Sequence, residues 1–294
     1  MTLPDPHALL QALISGVLLG GLYACGALGL SLVLGVMRLV NLVHGELVVL
    51  GSYLGFVALS AWGLDPLLAL PLVFLVVAAV GYPLHRTLLA PLARGGEEGP
   101  LLTAFALSII LQNLFIRVFT GDTRSLDRPY TRTAISLAGY AIPTIYLVGF
   151  LISLLVTTAV YLVMTRTSFG RQLRASAEDP LAASIVGVAV GRVHGLTYAL
   201  AAGLAAVGGI LIALCFSFTP TSGTEYLLTA FTIVVLGGLG SVYGTFAGGL
   251  TLGVLQSVGA VTLGDGYRTF VGLVLFLVIL AVRPQGLFRR GATA

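Results

Sequence analysis

The sequence predicts an all-α polytopic membrane protein, with eight or nine transmembrane helices in one bundle. Three observations lead there. Hydrophobic residues make up 57% of the 294, charged residues only 9%, and the mean hydropathy is +1.04. Apolar runs recur along the whole chain at close to the ~20 residues a helix needs to cross a bilayer. Glycine is abundant, at 38 residues, and often falls at the four-residue spacing that lets helices approach closely in lipid. One transmembrane domain, residues 1–294, accounts for the length and leaves nothing over for a soluble domain.

The apolar runs fall at about 9–36, 45–62, 67–84, 101–119, 143–165, 194–218, 227–239, 242–263 and 269–282. The N-terminal stretch MTLPDPHALL has no Arg or Lys ahead of the first run, so it lacks the basic segment of a cleaved signal peptide, and the first span is expected to be retained. Gly16 with Gly20, Gly51 with Gly55, and the ladder Gly240, Gly244, Gly248 mark faces where helices touch. The run at 227–239 is short, and Gly237, Gly238 and Gly240 follow it. It reads either as a tilted helix or as a discontinuous one facing a protein-lined cavity.

Counting that run as a crossing gives nine spans, with the N-terminus outside and the C-terminus inside. Ten of the fifteen arginines then lie inside: Arg38, Arg86, Arg94, Arg166, Arg171, Arg174, Arg192, Arg283, Arg289 and Arg290. Arg117, Arg124, Arg128, Arg132 and Arg268 stay outside, four of them around the segment 120–142. Without the crossing, the basic tail RPQGLFRR would be external, which favours nine.

Every basic residue other than histidine is arginine; there is no lysine. A P-loop needs its lysine to reach phosphates, so the chain carries no Walker-type nucleotide site and no lysine Schiff base. No serine, histidine and carboxylate stand together, and no paired acids face each other, so no catalytic residue is assigned. No His or Cys set has ligand spacing, so neither a metal nor another cofactor is expected. Cys25 and Cys215 each sit alone in apolar spans and read as ordinary buried thiols. The charge of +4 is spread over loop ends without interleaved aromatics, which argues against nucleic acid and for a lipid bilayer as the surroundings.

Two polar features interrupt the apolar background. In NLVHGELVVLGSYLG, Asn41, His44 and Glu46 head the second span; ionisable groups there are either functional or an interfacial cluster, with Glu46 near Arg38. His44 and Glu46 are two apart and so face different sides of a helix. In TAFALSIILQNLFIRVF, Ala104, Ser108 and Gln112 share one face, and Asn113 and Arg117 a neighbouring one. That stripe either lines a solute pathway or bonds across to another helix. Glu225, in TPTSGTEYLL, reads as a solvated carboxylate of an outer loop.

The longest polar interruption is residues 166–193, which concentrates Arg171, Arg174 and Arg192 and reads as a cytoplasmic docking loop. Within it Asp179 suits an N-cap and Pro180 the first helical position, giving a short helix that Gly187 can end. Leu181, Ala182, Ile185 and Val186 make that helix more apolar than an aqueous loop requires. It either inserts into a groove of another subunit or lies on its own membrane domain.

The blocks NLVHGELVVLGSY, LSIILQN, FGRQLRASAEDPLAASIVGV, VVLGGLGSVYGTFAGG and RPQGLF, in this order, resemble the branched-chain amino-acid ABC transporter permeases, specifically the first, H-type, of that system's two permeases. The resemblance spans about Gly16 to Arg290. It implies the ABC importer permease fold, in the cell (inner) membrane of a bacterium or archaeon. It implies import of Leu, Ile or Val, with urea, short amides or other amino acids as the alternative within the fold; an ion-coupled secondary carrier is the alternative outside it. The implied partners are a second homologous permease, two cytoplasmic ABC ATPases and an extracytoplasmic binding protein. Hydrolysis of ATP is left to the ATPases. Glu178 to Gly187 matches the family's ATPase-coupling segment, Asn41, His44, Gly45 and Glu46 its N-x-x-H-G-E block, and Gln112 and Asn113 its L-Q-N block.

Overall fold

The computed structural model describes residues 5–37, 39–92, 98–137 and 139–282. Arg38, Arg94 and the tail with Arg283, Arg289 and Arg290 lie outside the described residues. The first helix is α1, Pro6–Met37, followed by α2, His44–Trp62. The left-handed Gly63 (φ 62°) ends α2, its N–H donating back to the carbonyls of Ala58 and Leu59. Then comes α3, Pro66–Leu92, which Asp65 caps by accepting from Leu67 N at 2.9 Å with Pro66 in the first turn. A π-helical turn, His85–Leu89, follows Pro83 within it.

Next is α4, Glu98–Phe119, and then a connection with a two-stranded antiparallel hairpin, β1 (Ala134–Leu137) and β2 (Tyr140–Pro143), in which Ala134 pairs with Pro143. The remaining helices are α5 (Thr144–Arg166), α6 (Ser168–Glu178), α7 (Pro180–Ile185), α8 (Val190–Ala213), α9 (Gly223–Gly237), α10 (Val242–Leu263) and α11 (Arg268–Val282). Seven of these, α1 to α5, α8 and α10, are long and apolar enough to cross a membrane; α9 and α11 are described over 15 residues each. Together they account for the nine apolar runs of the sequence.

Burial sorts the helices by role. α1 and α8 are buried along most of their length, whereas α3, α4, α5 and α11 expose Leu68, Leu102, Leu155 and Phe270 among many apolar side chains. An apolar exterior of that kind is what lipid contact selects. Inside, backbones meet directly. A Cβ on Gly16 would fall 2.7 Å from Val254 Cα of α10, one on Gly20 2.7 Å from Leu250 Cα, and one on Gly248 2.5 Å from the Ile233 carbonyl oxygen of α9. Gly51 abuts Ala206 of α8, and Gly35 abuts Gly240. Lipid gives helices no hydrophobic reason to associate, so this close packing holds the bundle together. Buried hydroxyls add bonds between helices: Thr245 donates to Ser31 Oγ at 2.7 Å, and Ser52 to the Gly209 carbonyl at 2.9 Å.

The polar ends separate cleanly. At one end Gln11 of α1 bonds Ala141 of β2 in both directions, His7 stacks on Tyr140, and Arg124 pairs as an isolated bridge with Phe218. Asp65, already the cap of α3, also accepts from Arg128 Nε at 3.1 Å and from the Tyr130 hydroxyl at 2.9 Å. Burial, then the bond to Asp65, holds the Tyr130 phenol well above its ordinary range, so it stays a donor at neutral pH. The opposite end carries α6, α7 and the turn Gly238–Gly240.

Candidate functional site

The segment 166–193 is folded from end to end. Thr167 caps α6 by accepting from Gly170 N at 3.2 Å, and α6 buries Leu173 and Ser176. Arg174 reaches back to the Met164 carbonyl at the end of α5, while Arg171 and Glu178 are exposed. Asp179 Oδ1 accepts from Leu181 N at 2.9 Å and Ala182 N at 3.0 Å, and Pro180 opens α7. Gly187, at φ 88°, ends the element as its sequence position predicts. Ala183 alone is buried in α7; Leu181 is 72% exposed, Ile185 78% and Val186 77%, and Ala182 is exposed too. This apolar face stands out beyond the chain's own packing. The α6 helix was not expected, since the segment was read as a loop, yet its Thr167 cap and its apolar residues Phe169, Leu173 and Ala177 at four-residue spacing favour a helix locally, and Leu173 is buried by it.

The polar residues at the head of α2 come together around its start. Asn41 Oδ1 accepts from Val43 N at 3.2 Å and from the Tyr198 hydroxyl at 3.4 Å. His44 Nε2 lies 2.9 Å from the Gly26 carbonyl of α1, and Glu46 Oε1 accepts from Ser108 Oγ of α4 at 3.4 Å. His44 and Glu46 thus serve different neighbours, as their two-residue spacing requires. Glu46 is 2% exposed and sits against Gly223, the first residue of α9. The positive end of that helix is a favourable place for a carboxylate. Gln112 is half-buried, and Asn113 is exposed and bonds the Ile109 carbonyl of its own helix at 2.8 Å, so these two do not join the cluster.

Two cavities flank α9. One, of about 250 Å³, lies among α1, α2, the connection 214–222, α9 and the start of α11. The other, of about 340 Å³, lies between α9, α10 and α11, with Thr232 and Gln256 in its wall. Glu225 and Thr229 line both. Glu225 is not in a loop: it stands in the first turn of α9, exposed, with the Thr269 hydroxyl donating to it at 2.9 Å. None of Asn41, His44, Glu46, Ser108, Gln112 and Asn113 lines either cavity. Of the residues that do, sequence reasoning took Glu225 for a loop carboxylate and gave Tyr23, Tyr226, Thr229 and Arg268 no part in a site. Glu225, Thr229 and Thr232 recur at i, i+4 and i+7, a polar stripe that helical periodicity could have revealed.

A family described as branched-chain amino acid transport system / permease component matches residues 12–282. The chain is 32% identical to the high-affinity branched-chain amino acid transport system permease protein BraD of Pseudomonas aeruginosa, over 98% of each chain. It is 31% identical to the corresponding LivH of Escherichia coli, over 96% of each. Among solved structures, PsaBC from Streptococcus pneumoniae in complex with Fab aligns over 95% of this chain and 93% of that one, with a TM-score of 0.50 at 16% identity, a likeness of fold. The chain belongs to the family of branched-chain amino acid transport system permease components.

Proposed function

We infer that this chain is the membrane-spanning permease subunit of an ATP-driven importer of Leu, Ile or Val, in the inner membrane of a bacterium or archaeon. The observation that carries this reading is end-to-end similarity to permeases named for branched-chain amino acids, at 32% identity across 98% of the chain. A second homologous permease pairs with it, two cytoplasmic ATPases drive it, and an extracytoplasmic binding protein delivers the cargo.

In this reading α6 and α7 form the coupling element. The exposed Leu181, Ile185 and Val186 seat in an ATPase groove, and Asp179 and Pro180 keep the short helix formed while it is pushed. Arg171, Arg174 and Glu178 on α6 carry the motion to the end of α5. Asn41, His44, Glu46 and Ser108 support the pathway by fixing the start of α2 against α1, α4 and α9.

The test is uptake of tritiated L-leucine into proteoliposomes holding this chain, its co-purified partners and the loaded binding protein. Uptake that needs MgATP and the binding protein, and that an ionophore leaves unchanged, supports the reading. Uptake that an ionophore abolishes and ATP depletion spares would make the chain a secondary carrier. Transport of urea or short amides with no leucine uptake would overturn the cargo.

A further inference from the structure

An acid and a base share the cavity beside α1 without neutralising each other. Glu225 and Arg268 both line it, and among the described residues no ion pair joins them. Each is tethered from the same corner of the fold. Thr269 donates to Glu225 Oε1 at 2.9 Å, and Asp265 Oδ1 accepts from Arg268 Nε at 3.3 Å and Nη2 at 2.8 Å. These bonds leave Glu225 Oε2 and Arg268 Nη1 with capacity for a further partner. The Arg268 guanidinium lies 5.9 Å from the centre of the Phe216 ring, another wall of the same cavity.

The rest of the lining completes a pattern. Tyr23, Tyr226 and Thr229 present hydroxyls, while Ala27, Val48 and Ile212 are apolar. A volume of about 250 Å³ is smaller than the ~300–1,000 Å³ of drug-sized pockets and suits a small solute. Arg268 is ion-paired with Asp265, and Glu225 is exposed with the Thr269 hydroxyl on one oxygen; a zwitterion can use the free carboxylate oxygen of the one and the free guanidinium nitrogen of the other at once. Arginine's planar fork matches a carboxylate, and a carboxylate matches an ammonium.

The geometry points to a zwitterion subsite: Glu225 receives the α-ammonium of the cargo, Arg268 its α-carboxylate, and the wall of Val48 and Ile212 its aliphatic side chain. The assignment rests on the import reading above and adds the residues and the orientation. It makes the permease a reader of the cargo's charge pattern. A neutral cargo such as urea has no use for the pair.

The assembled transporter in proteoliposomes, with tritiated L-leucine, provides the test. Glu225→Gln and Arg268→Gln are each expected to cut initial uptake at least tenfold. ATP hydrolysis stimulated by the binding protein should stay within twofold of wild type, a separation that a merely structural role would not give. Arg268→Lys should recover part of the uptake. A second measurement keeps both charges in place: Thr229→Cys in a background lacking Cys25 and Cys215, modified with a methanethiosulfonate in the absence of binding protein. L-Leucine should slow modification at least threefold, whereas 4-methylpentanoate, without the ammonium, and isoamylamine, without the carboxylate, should not. Leucine uptake within twofold of wild type in both neutral variants, or equal protection by all three compounds, overturns the subsite and leaves the import reading standing. Wild-type vesicles that take up no α-amino acid overturn the import reading itself.

Discussion

At Glu46 a carboxylate that is 2% exposed has one hydrogen-bond donor among the described residues, Ser108 Oγ, and its Oε2 has none. Its other neighbour is backbone: a Cβ on Gly223 would lie 2.6 Å from Glu46 Cδ. Residue 223 is therefore held to glycine by what stands at 46. Gly223→Ala alone should destabilise the protein by about 1–3 kcal/mol through overpacking, and in the Glu46→Ala background the same change should cost clearly less. Thermal unfolding of the four proteins in detergent measures the coupling, and additive losses would show the two residues to be independent. The sequence marked Glu46 as either a functional or an interfacial acid, placed it near Arg38, and set His44 on a different side. It could not show that Ser108 and Gly223, 62 and 177 positions away, complete its surroundings, because no local pattern encodes a contact between distant spans.

On the scale of elements, capping chemistry was the most readable part of this chain. Asp179, Pro180 and Gly187 delimit α7 by the rules that govern any short helix, so a six-residue element was legible inside a polar loop. Replacing Asp179 and Pro180 with Gly removes the capping bonds, at a cost of a few tenths of a kcal/mol, and the fixed φ of the first turn. In the reconstituted importer this variant should lose most ATP-driven uptake while its membrane domain unfolds at the wild-type temperature; full uptake would detach α7 from coupling. Helix α6 was overlooked although it was legible: Thr167 is a cap, and Phe169, Leu173 and Ala177 recur at i, i+4 and i+8 against an otherwise polar surface. Helix α9 was legible as short and glycine-ended. Its 15 residues rise only about 22 Å, and neighbours on several sides make that length tolerable.

The molecule as a whole has two polar ends, and the sequence assigned them by arginine count. The positions of the described arginines agree: Arg124, Arg128 and Arg132 gather with the hairpin, and Arg171, Arg174 and Arg192 with α6 and α8. Single cysteines test the orientation. With Cys25 and Cys215 replaced, an impermeant maleimide added to intact cells should label Ser136→Cys on β1, which is exposed, and should reach Ser184→Cys on α7 only after permeabilisation. The reverse pattern would invert the topology.

Glycines at the seams bear on how any survey of variants will look. At Gly16, Gly20 and Gly248 even a methyl group would strike backbone atoms of a neighbouring helix within 3 Å. A saturation screen scored by growth will therefore return its strongest losses along these seams, where variants fail to accumulate in the membrane. Residues that touch the cargo will be hidden beneath that signal. They become visible when each variant's transport is divided by its abundance, so a map of function for this chain begins with a measurement of expression.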